Sequence, residues 1–249
     1  MSNIVIPVDI EQRVKKAVQF FWSTREGQSS RQLASETHDQ GSRGAVTGGK
    51  QLDGFVDLVR QLLIENGVKR EHIFCNTKLE LPGFYRPNKK WDLLVIDQER
   101  LILAIEFKSQ VGPSFGNNFN NRTEEAMGSA LDLWTAFREG VFKGSNPWLG
   151  YLILLEDTVA SSVPVAIRSP HFKVMREFKN SSYMKRYEIF CRKLVLERQY
   201  HAACFLTSKK SDSQSGNYSA PSRQLSFLPF VTSMLSAVLA YRAMKGGVA

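Results

Sequence analysis

Residues 91–108, WDLLVIDQERLILAIEFK, constrain this chain more than any other segment. Two apolar runs, Trp91–Asp97 and Leu101–Lys108, flank the short polar connection Gln98-Glu99-Arg100. Such runs read as two strands joined by a tight hairpin loop. Charged residues sit where the apolar runs meet the outer ends: Asp92 on one strand, Glu106 and Lys108 on the other. If the hairpin is centred on Glu99, Asp92 and Glu106 lie directly opposite each other, with Cβ atoms about 4.5–5.5 Å apart. Lys108, two residues along, points to the same face. Two carboxylates so placed repel unless something cationic lies between them. A slip of one residue would put them on opposite faces.

The elements around the hairpin follow from periodicity. Residues 9–24 predict a helix with Val14, Ala17, Val18, Phe21 and Trp22 on one side. Residues 25–50 read as a long polar, glycine-containing loop. A second helix is expected over 51–66, with Phe55, Leu58, Val59, Leu62 and Leu63 on its apolar face and Asn66-Gly67 as its stop. Lys78–Leu81 is a short strand before the turn pair Pro82-Gly83. Gly112–Arg122 reads as loop, and Thr123–Glu139 as a helix capped by Thr123, with Leu131, Trp134 and Phe137 as a core stripe. Tyr151–Leu155 suits a buried strand. A basic helical region over 170–200, a polar loop over 207–224 and an amphipathic helix over 228–244 complete the chain. The expected architecture is a single α/β domain, 1–249, with a central mixed sheet flanked by helices and with helical decorations at both ends.

Chemistry concentrates at the hairpin. Phosphodiester hydrolysis needs a hard divalent cation, an activated water and stabilisation of developing negative charge. Two carboxylates can hold Mg²⁺ through oxygen, the metal lowers the pKa of its water, and a lysine on the same face can orient that water or add positive charge. An acid-x-lysine triplet alone is weak evidence, because a second one, Glu177-Phe178-Lys179, follows Asp157. That second triplet sits in a polar, basic stretch and reads as a solvated face. The first ends an apolar strand.

The long Asn/Gly segments around this pattern are more specific than the triplet. Strand–Asp92–strand–Glu106-x-Lys108 between helices resembles the PD-(D/E)xK nuclease superfamily, with Trp91-Asp92 in place of proline-aspartate. QGSRGAVTGGKQLDGF (40–55) and EFKSQVGPSFGNNFNNRTEEAMG (106–128) are similar to the XhoI-type restriction endonucleases. The resemblance implies a restriction-endonuclease-like core and a type II enzyme dependent on Mg²⁺. It further implies cleavage of double-stranded DNA at the palindrome CTCGAG, after the first C with 5′ overhangs, by a homodimer whose companion methyltransferase protects host DNA. It carries Asp92 and Glu106 over as metal ligands, with the backbone carbonyl of Phe107, and Lys108 as the water-orienting or charge-stabilising group. For a further carboxylate, Asp53, Glu65 and Glu80 compete, and Glu80 lies closest in chain to the hairpin.

DNA contacts are expected from several segments. Asn117, Asn118, Asn120, Asn121 and Arg122 carry side chains that can read adenine and guanine, against a reading as a turn-rich loop. Gln110 belongs to the same neighbourhood. Arg43 and Lys50 bracket the glycines of Gly44–Lys50, which match a phosphate-binding loop in spacing. Gln51 replaces the Ser or Thr such a loop needs, and no apolar strand precedes it, so a nucleotide triphosphatase is excluded. Lys89 and Lys90 precede the catalytic aspartate and suit the backbone of the scissile strand. Residues 168–198 divide between phosphate contact and solvated helix.

Composition agrees. The net charge of +9 suits a polyanionic partner. Three widely spaced cysteines form neither a disulfide framework nor a zinc site, and four scattered histidines form no metal motif. The start of the chain lacks a secretory pattern, and the apolar stretch Leu225–Tyr241 is too short and polar to span a bilayer. No membrane partner and a cytoplasmic location are expected. Two rivals remain: a structure-specific repair nuclease or resolvase of the same superfamily, and a non-catalytic DNA-binding protein.

Overall fold

A computed structural model describes residues 3–34 and 50–246, with the side chains of 28–34 excepted. The elements run α1 (Ile10–Ala34), α2 (Asp53–Glu65), β1 (Ile73–Phe74), β2 (Glu80–Pro82), β3 (Asn88–Lys90), β4 (Leu93–Asp97), β5 (Arg100–Gln110), α3 (Phe115–Arg138), β6 (Trp148–Glu156), α4 (Val159–Ser162), α5 (Tyr183–Leu196), β7 (Ala202–Ser208) and α6 (Phe227–Gly246). Five strands form one sheet in the order β1-β4-β5-β6-β7, and β2 and β3 form a separate small hairpin. β1, β4 and β5 pair antiparallel, whereas β5–β6 and β6–β7 are parallel. This is the mixed sheet flanked by helices that the sequence predicts.

Each face of the sheet has its own apolar layer. Leu93, Val95, Leu103, Ile105, Leu152, Leu154, Cys204 and Leu206 pack with α1, α2 and α6. Leu94, Ala104, Tyr151, Ile153, Ala203 and Phe205 pack with α3 and α5. The parallel strands are buried on both faces, which is why they read as continuous apolar runs. The predicted stripes of α1 and α2 are buried as expected.

The hairpin turn differs from the expected three-residue loop. Asp97 pairs with Arg100, so Gln98 and Glu99 alone make the turn, both at positive φ (50° and 63°). That is a tight turn whose twist matches the flanking strands. A register shift follows: Ile96 pairs with Leu101, but Val95 pairs with Leu103. Ile102 is the extra residue, and it packs into the same layer as Leu103. Beyond this bulge the pairing Leu93↔Ile105 is the one that a centre at Glu99 predicts.

Four expectations are corrected. The segment read as loop before Thr123 is helix from Phe115 onward. Buried Phe115 and half-buried Phe119 pack among α5 aromatics and outweigh the poor helix propensity of Asn and Gly. The core stripe of this helix is Ala126, Ala130, Leu133 and Ala136, whereas Leu131 is exposed. Of residues 170–200, only Tyr183–Leu196 form an α-helix, and Glu177 and Lys179 lie exposed around a short 3-10 turn. Finally, α1 extends ten residues into the segment expected as loop. The strand β7 was not read from the sequence, although AACFL within it is apolar.

The expectation that the apolar stretch Leu225–Tyr241 is too short and polar to span a bilayer is corrected: α6 is long and apolar enough by length and composition. Phe227, Phe230, Val231, Met234, Leu235 and Val238 of this helix are instead buried in the core layer shared with α1 and α2.

Candidate active site

The bulge decides which face carries the charges. Glu106 lies between Ile105 and Phe107, which face the α1/α2/α6 layer, so it faces α3 and α5, as does Lys108 two residues on. Asp92 lies one residue before β4 and is tied to β5 directly. Its backbone N–H donates to the carbonyl of Ile105 at 3.3 Å, and its Oδ2 accepts from the N–H of Phe107 at 2.7 Å. The aspartate is thus held at both ends by β5.

Glu106 is 1% exposed, yet it is surrounded by charge. Its Oε1 lies 2.8 Å from Lys108 Nζ and 3.2 Å from Lys89 Nζ. The Tyr200 hydroxyl lies 3.2 Å from its Oε2 and 3.1 Å from the carbonyl of Ala126, and donates its single proton to one of them. Burial opposes ionisation of Glu106, but Lys108 and Lys89 outweigh it and hold the carboxyl below the usual range. At Asp92 burial prevails over Lys108 and the Phe107 amide, and its pKa is raised. Burial lowers the pKa of Lys89, whereas at Lys108 the attraction of Glu106 and Asp92 overcomes burial and raises it. Lys89 also lies over the ring of Trp91, 4.3 Å from its centroid.

The network continues into α3. Glu125 Oε2 lies 3.8 Å from Lys108 Nζ and accepts from Arg122 NH1 at 2.8 Å. Arg122 Nε and the hydroxyl of Tyr151, the β6 neighbour of Glu106, are buried without a hydrogen-bond partner among the described residues. Tyr200, Glu125 and Tyr151 were not singled out from the sequence. Glu125 had a signal, its i+3 spacing from Arg122. Tyr200 had none, because 94 residues separate it from Glu106.

The other expected site residues distribute unevenly. Glu80 is exposed on β2, and its carboxylate accepts from the N–H of Leu79. Glu65 pairs with Arg13 at 2.7 Å. Asp53, at the start of α2, is the member of that trio whose charge acts with that of Asp92; its pKa is raised by burial first and by Asp57 next. Gln110 is corrected as a DNA contact: it is 2% exposed, donates to the Phe115 carbonyl at 2.9 Å and accepts from the Tyr187 hydroxyl. It ties the start of α3 to β5 and α5. Asn117, Asn120 and Asn121 are exposed on the first turns of α3, while Asn118 and Arg122 are half-buried there. Lys90 and Lys50 are exposed. Arg43 and the glycines at 44–49 lie outside the described residues.

Among the described residues, no three acidic, histidine or cysteine side chains gather at one point. What the site offers a metal is the carboxylates of Asp92 and Glu106 and peptide carbonyls of β5, all hard oxygen donors. That set fits Mg²⁺ rather than a soft transition metal.

Comparison with known proteins gives a consistent result. The family described as restriction endonuclease XhoI matches residues 31–220. The type II restriction enzyme BstVI of Geobacillus stearothermophilus is 52% identical over 212 residues, covering 83% of this chain and 95% of its own. The type II restriction enzyme XhoI of Xanthomonas vasicola is 47% identical over 181 residues, covering 71% and 72%. The type II restriction enzyme AbrI of Azospirillum brasilense is 50% identical over 170 residues, covering 68% and 76%. No solved structure matches the chain.

Proposed function

This chain belongs to the XhoI restriction endonuclease family, and from that membership we propose that its single nuclease domain cuts the palindrome CTCGAG with Asp92, Glu106 and Lys108 as its catalytic group. Like its relatives it is a type II restriction enzyme, a site-specific deoxyribonuclease acting on double-stranded DNA. The observation that supports the residue assignment is the contact set on β5: Lys108 Nζ lies 2.8 Å from Glu106 Oε1, and Asp92 Oδ2 accepts from the N–H of Phe107 between them at 2.7 Å.

Asp92, Glu106 and the carbonyl of Phe107 hold the metal in this reading. When bound, Mg²⁺ supplies an acidified water and neutralises charge on the scissile phosphate. The chain's own contributions are separable. The Phe107 amide fixes the Asp92 carboxylate. Lys108 keeps Glu106 ionised and has two further protons with which to orient a water or a phosphate oxygen. Lys90 and Lys50 meet the DNA backbone. Exposed Asn117, Asn120 and Asn121 address base edges, and half-buried Asn118 and Arg122 support that turn of α3.

A palindromic target implies a two-fold homodimer with one strand cut by each subunit. α6 has one face committed to the core, so its other face is what remains for such an interface. A companion methyltransferase protects host DNA, and the enzyme acts in the cytoplasm.

The test is a plasmid digest with Mg²⁺ and with EDTA, followed by sequencing of the ends. Discrete fragments ending at CTCGAG only with Mg²⁺ are expected. Asp92→Ala and Glu106→Ala should each slow cleavage at least about 100-fold and leave DNA binding near that of the wild type. Retained turnover in both variants would remove the proposed metal site.

A further inference from the structure

We propose that the tip of the β2–β3 hairpin, Gly83–Pro87, is a DNA-contacting element whose Phe84 and Tyr85 pack against the base and sugar surface beside the scissile strand. The proposal rests on the nuclease reading above and adds an element that the sequence did not point to.

Phe84 and Tyr85 are 54% and 66% exposed and meet edge to face, with centroids 5.3 Å apart. Two adjacent exposed aromatics at a loop tip leave apolar surface in water unless a partner covers it. The backbone beneath them is firmly held. Asp132 of α3 is 3% exposed, and its Oδ1 accepts from the N–H groups of Phe84 (2.7 Å) and Tyr85 (2.8 Å). Its Oδ2 accepts from Arg86 Nε at 2.7 Å, and Arg86 NH2 reaches Ser129 Oγ at 3.3 Å. Gly83 is required here, because a Cβ would run into the Asp132 carboxylate. A buried carboxylate therefore fixes the conformation of an exposed loop. Such preorganisation lowers the ordering cost of binding.

Position and charge select DNA as the occupant. The chain leaves the tip and reaches Lys89, at Glu106, four residues after Tyr85, at most about 13 Å of chain even if fully extended. Arg86 precedes Lys89 by three residues, and Lys89 Nζ lies 3.2 Å from Glu106 Oε1. Arg86, Lys89 and Lys90 follow the aromatics, and no acidic residue lies between Glu80 and Asp92. An aromatic tip followed by exposed Lys90, on a chain that runs directly to Lys89 at Glu106, suits the sugar-phosphate surface of a DNA duplex.

The test uses the full-length protein with a CTCGAG duplex and Ca²⁺, read by fluorescence anisotropy across salt concentrations. Both side chains are exposed, so the double variant Phe84→Ala/Tyr85→Ala should fold, and a melting curve checks this. Its affinity should fall about 10-fold, from the apolar ring area no longer buried, with the salt slope unchanged, because aromatic contacts release no counterions. Asp132→Asn, which loosens the tip, should fall between wild type and double variant. Unchanged affinity, a smaller salt slope, or weaker binding that follows dissociation of a dimer in ultracentrifugation overturns the assignment. The wild type separates the two readings. Failure of the wild type to bind CTCGAG specifically overturns the recognition sequence, whereas normal wild-type binding with an unaffected double variant overturns the tip alone.

Discussion

Lys89 Nζ lies 3.2 Å from Glu106 Oε1, the same oxygen that Lys108 holds at 2.8 Å. With Asp92, the site holds two carboxylates and two ammonium groups, so it is close to neutral before any metal arrives. A divalent cation that binds Glu106 through Oε1 has to displace an ammonium group. Lys89 enters from the small hairpin and is the more separable of the two, whereas Lys108 shares a strand with its partner.

Lys89→Met keeps the length of the side chain and its contact with Trp91 while removing the charge. Ca²⁺ should then bind about 10-fold more tightly, the loss of one close charge in a partly buried site being worth on the order of 1–2 kcal/mol. Calorimetric titration reads this directly. An unchanged Ca²⁺ affinity would mean that Lys89 does not compete for the metal position. Lys108→Met should abolish cleavage whatever its effect on Ca²⁺.

The exposed asparagines of α3 give a second test. Asn120→Ala and Asn121→Ala should each reduce the ratio of specific to non-specific binding, by about 1–3 kcal/mol for a residue reading adenine. The salt slope should not move, because no phosphate contact is lost. Equal losses on cognate and random duplexes, measured side by side, would place these residues on the backbone instead.

Asp97 joins the hairpin turn to the C-terminal helix and yields a pH prediction. Its Oδ2 accepts from the Tyr241 hydroxyl at 2.9 Å and from Lys245 Nζ, and His72 Nε2 lies 3.6 Å from Oδ1. Burial opposes its ionisation, but these partners outweigh burial and hold the carboxyl below the usual range. A depressed folded-state pKa adds stability above the ordinary carboxylate pKa, and that stability is lost as pH falls through the folded value. Asp97→Ala should cost about 1–3 kcal/mol at pH 7, chiefly through the unpaired partners. The gap from wild type in urea titrations should close toward pH 3. A gap that persists at acid pH would point to packing rather than charge.

Much of this protein is legible in its sequence. Two continuous apolar runs set the hairpin, and periodic apolar faces set α1 and α2, because burial is a local demand that each segment meets in its own pattern. Asp92, Glu106 and Lys108 were legible for the same reason: charges at the ends of apolar strands stand out. Tertiary structure alone decided the rest. The two-residue turn by itself would pair Leu93 with Ala104, and the extra residue at Ile102 shifts that pairing to Ile105. The Asn/Gly segment is helical because Gln110 of β5, itself held by Tyr187 of α5, secures its first residue Phe115, against its own propensity. Lys89, Tyr200 and Glu125 reach one carboxylate neighbourhood from three separate parts of the chain. Periodicity records which face of a segment is buried; it carries no record of which distant side chains meet there, since that depends on how whole layers dock.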